Sequence, residues 1–261
     1  MVNLQESVVL VGTRYSLNEK QFLTVAVLLK RVMDTPSGEG VGLRSIYIFW
    51  RSRRHGKNGT DKDFLFGLAI LDRVDDVLLT APTGSAASHI GGSTIHAALG
   101  VSSFEHPRRG QLEKVRKRLA RIKFLVVDEV SMVGCKMLTR VDEKCSRIWP
   151  LSSGSSAVLG GLPIILFLGD FKQFEPVPDT PLWKDNGIKA TKDEKRAREI
   201  WNQVKDVIFL TDQMRQRDDL PYQELLQRAE TCFLTQADIG LLNTVETREK
   251  WQVRKRIFSY C

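Results

Sequence analysis

Asp128 and Glu129 end an apolar run within Lys123–Met132, K-F-L-V-V-D-E-V-S-M. The four residues before them, Phe124 to Val127, suit a strand buried on both faces, as central strands of parallel sheets are. Open α/β sheets bind ligands at the carboxyl ends of such strands, where two carboxylates can hold a magnesium ion and polarise a water. A buried strand followed by an acidic turn has the same composition, so the pair needs partners elsewhere in the chain. A second apolar run, Leu162–Leu168, continues as Gly169-Asp170-Phe171-Lys172-Gln173-Phe174-Glu175-Pro176-Val177. Gln173 would follow another central strand and sit beside the first carboxylate pair.

The elements that must position these groups can be taken in chain order. Ser16-Leu17-Asn18-Glu19 reads as a capping box opening a helix through Gln21, Val25, Leu28 and Leu29. Thr35–Gly42 is a loop, Ile46–Phe49 a short strand, and Arg51–Gly59 a basic, glycine-containing stretch that usually means a solvated loop. Val77–Leu79 is a strand followed by T-A-P-T-G-S-A-A, where Pro82 and Gly84 break the strand and the hydroxyl of Thr83 could approach a phosphate backbone. Ile90–His96, I-G-G-S-T-I-H, adds a glycine turn, and a histidine such as His96 more often packs or caps than catalyses. Arg108–Lys123 is basic with Leu112, Val115, Leu119 and Ile122 at helical spacing, and Ser152–Gly161 is a loop. Ile208–Thr211 is a fourth long strand, ahead of Met214-Arg215-Gln216. Helical spacing returns at Leu225, Leu226, Leu234, Ile239, Leu241 and Leu242, and Val245–Cys261 has no convincing period.

The chain has 261 residues and a formal net charge of +8, which favours a polyanionic partner, most simply nucleic acid. Its four cysteines are scattered without a C-x-x-C pair, so neither a zinc site nor a disulfide framework is indicated and a reducing compartment fits best. No apolar run approaches the roughly 18 to 20 residues of a membrane span, and the N-terminus lacks a signal-peptide pattern. The expectation is a soluble, intracellular protein with no membrane partner.

Together, T-A-P-T-G-S-A-A with I-G-G-S-T-I-H, V-V-D-E-V-S-M, F-L-G-D-F-K-Q-F-E-P-V and L-T-D-Q-M-R-Q resemble, in order, the motifs of the petite integration frequency (PIF) family of superfamily-one DNA helicases. The resemblance spans roughly Leu17 to Asn243. It implies an α/β fold of P-loop NTPase type: a RecA-like parallel sheet flanked by helices over residues 1–203, then the start of a second RecA-like domain over 204–261. A small insertion is expected at about 101–121. It also implies ATP and Mg2+ as cofactors, single-stranded or forked DNA as partner, and 5′ to 3′ unwinding in DNA repair, recombination or telomere maintenance. The nucleus is the expected location ahead of the mitochondrion, because the N-terminus has no Arg-rich, acid-poor leader.

Residue by residue, the resemblance assigns Asp128 to magnesium, Glu129 to activating the attacking water, Gln173 to sensing the γ-phosphate and Arg215 to an arginine finger. Gln21 would contact adenine, while Pro82, Thr83, Gly84 and His96 would line the single-strand path. These roles are physically coherent, since phosphoryl transfer is catalysed chiefly by positioning and by positive charge placed where negative charge develops.

One part departs from the family pattern. A Walker A loop, G-x-x-x-x-G-K followed by Ser or Thr, should follow the first strand and cradle the phosphates. That place holds Trp50–Asp63, W-R-S-R-R-H-G-K-N-G-T-D-K-D, in which only Gly56-Lys57 echoes the motif and Asn58 stands where a hydroxyl should bind magnesium. Suitable synonymous codons for Phe49–Asp63, read one nucleotide later, spell S-G-E-A-G-G-T-G-K-T-E-L-I-R, a complete Walker A loop opening a helix. On that reading Phe49 to about Leu71 are products of a local frame error; the competing reading is a divergent basic loop without the cradle. After Asn243 the family pattern dissolves, so the chain as written is expected to be incomplete or inactive as a helicase. The alternative is a non-catalytic remnant that binds single-stranded nucleic acid.

Overall fold

Phe124–Val127 forms β4, with every side chain at most 3% exposed. Burying a large apolar side chain is worth about 1.5–3 kcal/mol, so this uninterrupted run is driven to the middle of the sheet. The computed structural model describes residues 9, 13, 19–34, 45–51, 73–100, 111–149, 158–204, 206–210 and 220–244. In chain order its strands are β1 (Ser45–Arg51), β2 (Val77–Ala81), β3 (Ser93–Thr94), β4, β5 (Ile164–Gly169) and β6 (Asp206–Leu210). Its helices are α1 (Glu19–Asp34), α2 (Gly84–His89), α3 (Ile95–Leu99), α4 (Gln111–Leu119), α5 (Cys135–Ile148), α6 (Lys192–Trp201), α7 (Leu220–Glu230) and α8 (Gln236–Thr244).

The strands form one sheet in the order β3-β2-β4-β5-β1-β6, with every pairing parallel. Parallel neighbours need crossover connections, and the helices supply them. Alternate residues face opposite sides: Leu125 and Val127 of β4 and Ile165 and Phe167 of β5 share one core with buried residues of α3, α5 and α6. In α5 that core takes Leu138, Val141, Cys145 and Ile148, one stripe of the helix. β6 pairs with β1, and the compact unit containing the sheet runs from Met1 to Asp212. The strand placed by sequence at the start of a second domain is therefore part of this sheet. The expected insertion is described only from Gln111, where α4 begins.

Two polar connections fix the helices behind the sheet. Asp142 of α5 accepts the Leu159 amide at 2.6 Å and the Arg196 guanidinium at 2.7 and 2.9 Å, joining α5, the 158–161 turn and α6. Asp179 caps α5 from outside the helix, accepting the amides of Lys136 and Met137 at 3.1 and 3.0 Å, because Gly134 at the N-cap has no side chain to offer. Next to it, Thr180 donates to Glu194 at 2.7 Å, and Glu194 completes a capping box with Thr191 at the start of α6.

A second compact unit, Gln213–Cys261, contains α7 and α8. Within it Arg228 pairs with the buried Asp238 through two hydrogen bonds at 2.7 and 2.8 Å, and Asp238 also accepts from Thr235.

Gly169, the last residue of β5, has φ +152°, and a Cβ there would stand 2.8 Å from the Val130 nitrogen and 3.4 Å from the Glu129 carbonyl carbon. The turn after β4 lies directly against it. Gly169→Ala should lower stability by about 1–3 kcal/mol in urea unfolding, the usual cost of overpacking. Gly84→Ala, where a Cβ meets nothing within 4 Å, should be neutral or slightly stabilising. The Thr191 amide, then the Thr180 hydroxyl and Asn186 amide, hold the Glu194 carboxyl down from 4.5 to about 2. A depressed carboxyl stabilises the fold above its unfolded value and loses that contribution as pH falls through the folded one. Thermal stability should therefore decline between pH 4.5 and about 2, and Glu194→Gln should flatten that limb; an unchanged limb contradicts the assignment.

Candidate nucleotide and nucleic-acid site

Because the sheet is parallel, β1, β2, β4, β5 and β6 all release their chains at the same edge. From β4 come Asp128 and Glu129, 2% and 7% exposed. Glu129 adopts φ 51°, ψ 50°, a left-handed conformation that costs a non-glycine residue of order 1–3 kcal/mol and concentrates at functional sites. Surrounding contacts enforce it: Val130–Met132 forms a turn closed by the Met132 and Val133 amides, and Gly169 presses against its start.

Thr80 ties this turn to β2. Fully buried, it donates from its hydroxyl to the Val126 carbonyl at 2.7 Å, while its own carbonyl accepts the Asp128 amide at 2.8 Å. Two residues later the chain reaches Pro82, Thr83 and Gly84. Thr83 caps α2, its hydroxyl accepting the Ala86 amide at 3.2 Å. The path from carboxylate pair to Pro82–Gly84 turn is thus a single hydrogen-bonded step across the sheet.

From β5 comes Asp170, 3% exposed, whose carboxylate accepts the Lys172 amide and whose carbonyl accepts the Gln173 amide, both at 3.0 Å. Phe171 lies against Trp183 and Trp201, with ring centroids 5.1 and 5.7 Å apart in edge-to-face geometry. These contacts hold the turn that presents Gln173. Glu129 and Gln173 consequently line one cleft of about 160 Å³ with Thr83, Ser85, Ala86, His89, Ser131, Met132 and Phe174.

The sequence-derived residues divide accordingly. Glu129, Gln173 and Thr83 meet in the cleft; Asp128, Pro82 and Gly84 adjoin them in the chain. His96 is half-buried on α3, whose N-terminus Thr94 caps, and does not line the cleft. Gln21 occupies the first turn of α1. Gly56, Lys57 and Arg215 lie outside the described residues. Even so, Trp50 pairs with Gly169 in register, so the segment after β1 leaves the sheet beside the turn that carries Gln173. Thr80, Gly169 and Asp170 were not singled out from sequence, although a threonine closing the apolar run Val77–Leu79 was a visible signal for the first.

A magnesium ion bound mainly through substrate phosphates and water needs only one or two protein carboxylates. Asp128 and Glu129 at the strand end fit that donor set. Among the described residues no group of three or more His, Cys, Asp or Glu could cage a metal ion, and no helix is long and apolar enough to cross a membrane. Burial pushes the Cys135 thiol up to about 11 and raises Cys145 further, which leaves neither as a thiolate nucleophile.

Comparison with known proteins agrees with this geometry. The family model for PIF1-like helicases matches residues 43–240. The chain is 32% identical over 184 residues to the ATP-dependent DNA helicase PIF1 of Saccharomyces cerevisiae, covering 66% of this chain and 20% of that protein. It is 33% identical over 129 residues to the human protein of the same name, covering 47% and 19%. It therefore spans about a fifth of the length of these curated relatives. Among solved structures, Bacteroides Pif1 in complex with ADP-AlF3 and ssDNA superposes with TM-score 0.59 at 19% identity, over 89% of this chain and 50% of that one. Candida albicans Pif1 gives 0.56 at 18%, over 85% and 46%. With a RecA-like parallel sheet, the motif residues gathered at its carboxyl edge and a family match across most of its length, the chain belongs to the PIF1-like helicase family.

Proposed function

We propose that this chain carries the first motor domain of an ATP-dependent DNA helicase acting 5′ to 3′ on single-stranded or forked DNA. The observation that carries the reading is the shared cleft: Glu129 and Gln173 line it from the hydrolytic side and Thr83 from the strand side. Asp128 would hold magnesium, which supplies positive charge at the β- and γ-phosphates when bound. Glu129, fixed in its strained conformation, would take a proton from the attacking water, and the Gln173 amide would report the γ-phosphate. Thr83 and its neighbours Pro82 and Gly84, with His96 further along, would follow the strand backbone without reading sequence. Arg215, in the second unit, would add positive charge at the transition state, and Gln21 would contact adenine. Nuclear work in repair, recombination or telomere maintenance is the setting this reading favours.

A second reading is favoured by Trp50–Asp63, which lacks the glycine spacing and hydroxyl of a phosphate cradle. On that reading the chain as written binds single-stranded nucleic acid without hydrolysing ATP. A single set of titrations separates the two. The enzyme reading expects magnesium-dependent ATP binding that Asp128→Asn weakens, and hydrolysis that falls roughly 10²- to 10⁴-fold in Glu129→Gln, the usual worth of a general base. Strand binding with a steep salt dependence and no nucleotide affinity would instead select the remnant.

A further inference from the structure

Phe174 exposes 66% of its surface at the mouth of the cleft, although the turn that carries it is fixed. Its neighbour Gln173 is held by the Asp170 carbonyl, and Pro176 is buried. A rigid turn presenting an aromatic face to solvent is a surface prepared for something flat. Across the cleft, α2 contributes Ser85 and His89, both exposed, and the small Ala86, which leaves room between the two walls. The Thr83 hydroxyl accepts from the Ala86 amide and so keeps its own hydrogen to donate. At about 160 Å³ the cleft exceeds the roughly 30 Å³ share of a single water several times over.

Charge decides which part of a nucleotide would enter. Glu129 stands at the inner end and repels phosphate, while the exposed Lys172 on the same turn and His89 on α2 stand towards the outside, beside the exposed Glu175. An uncharged ring inside with its phosphodiester left at the rim satisfies this arrangement. We propose that the cleft between α2 and the Gln173–Glu175 turn is a nucleobase pocket of the single-strand path, with Phe174 as its stacking platform. The inference rests on the strand-binding reading of Pro82–Gly84 and extends it with a base subsite. Because Gln173 precedes Phe174 and Glu129 lines the same cleft, a base stacking there touches the hydrolytic pair directly. No relay through other elements is needed for strand occupancy to reach the nucleotide groups.

The test compares two fluorescein-labelled strands of equal length, about a dozen nucleotides to match common single-strand site sizes: oligo-deoxythymidylate and a fully abasic strand. Anisotropy titrations are run with the full chain. The wild-type chain should prefer the base-bearing strand. Phe174→Ala should weaken that binding roughly 5- to 150-fold, the range for loss of one base–aromatic stack. Its affinity for the abasic strand and its salt slope should be unchanged, and Phe174→Trp should restore the preference. Equal binding of oligo-deoxythymidylate by wild type and Phe174→Ala overturns the pocket, as does an equal loss on both strands. Failure of the wild-type chain to bind either strand overturns the strand-binding reading itself, and the pocket with it.

Discussion

Because β4 is hydrogen-bonded in parallel to both β2 and β5, the three segments leaving those strands must emerge side by side at one edge. That constraint brings Pro82–Gly84, Asp128–Glu129 and Gly169–Gln173 together without any contact between their side chains being required first. The Thr80 hydroxyl then fixes the axial register of β2 against β4 where the two functional segments begin. A buried hydroxyl that donates to a strand carbonyl is favourable only in one alignment, since a slip would leave both groups unpaired in an apolar interior. Gly169 sets the third side by allowing β5 to approach the Glu129–Val130 backbone more closely than any side chain would permit.

The region behind the edge serves the same end. Asp179, Thr180 and Glu194 bind the strap that follows Gln173 to the starts of α5 and α6. Phe171, between Trp183 and Trp201, anchors the opposite end of that strap to the core. Gln173 and Phe174 therefore sit on a segment pinned before and after them. Side chains meant to respond to a ligand gain from such support, because binding free energy is not spent on ordering the turn.

Much of the fold was legible because its strongest signals are buried and local. Phe124–Val127 contains nothing but large apolar residues and became β4 as expected, and Ile46–Phe49, Val77–Leu79 and Ile208–Thr211 located β1, β2 and β6 to within a few residues at either end. β5 begins at Ile164 because Leu162 belongs to the turn before it. Other signals were present and passed unread. The spacing of Leu138, Val141, Cys145 and Ile148 marks α5, and Thr191 with Glu194 is a capping box opening α6 inside a stretch that looked merely charged. In the site, Glu129 and Gln173 could be named from their motifs. The cleft joining them to Thr83, His89 and Phe174 depends on how α2 turns back over the sheet edge, and no local pattern encodes that.

What the preserved edge lacks in sequence is the phosphate cradle. Trp50 is in register with Gly169, so a loop leaving β1 starts beside Gln173, the place a cradle would need. The most direct test of the account replaces Phe49–Asp63 with S-G-E-A-G-G-T-G-K-T-E-L-I-R and measures magnesium-dependent ATP binding by the altered and unaltered chains. The account predicts binding by the altered chain, lost again with Asp128→Asn, because every other described part of the site is already in place. Equal affinity in the two chains, or none in either, would contradict it.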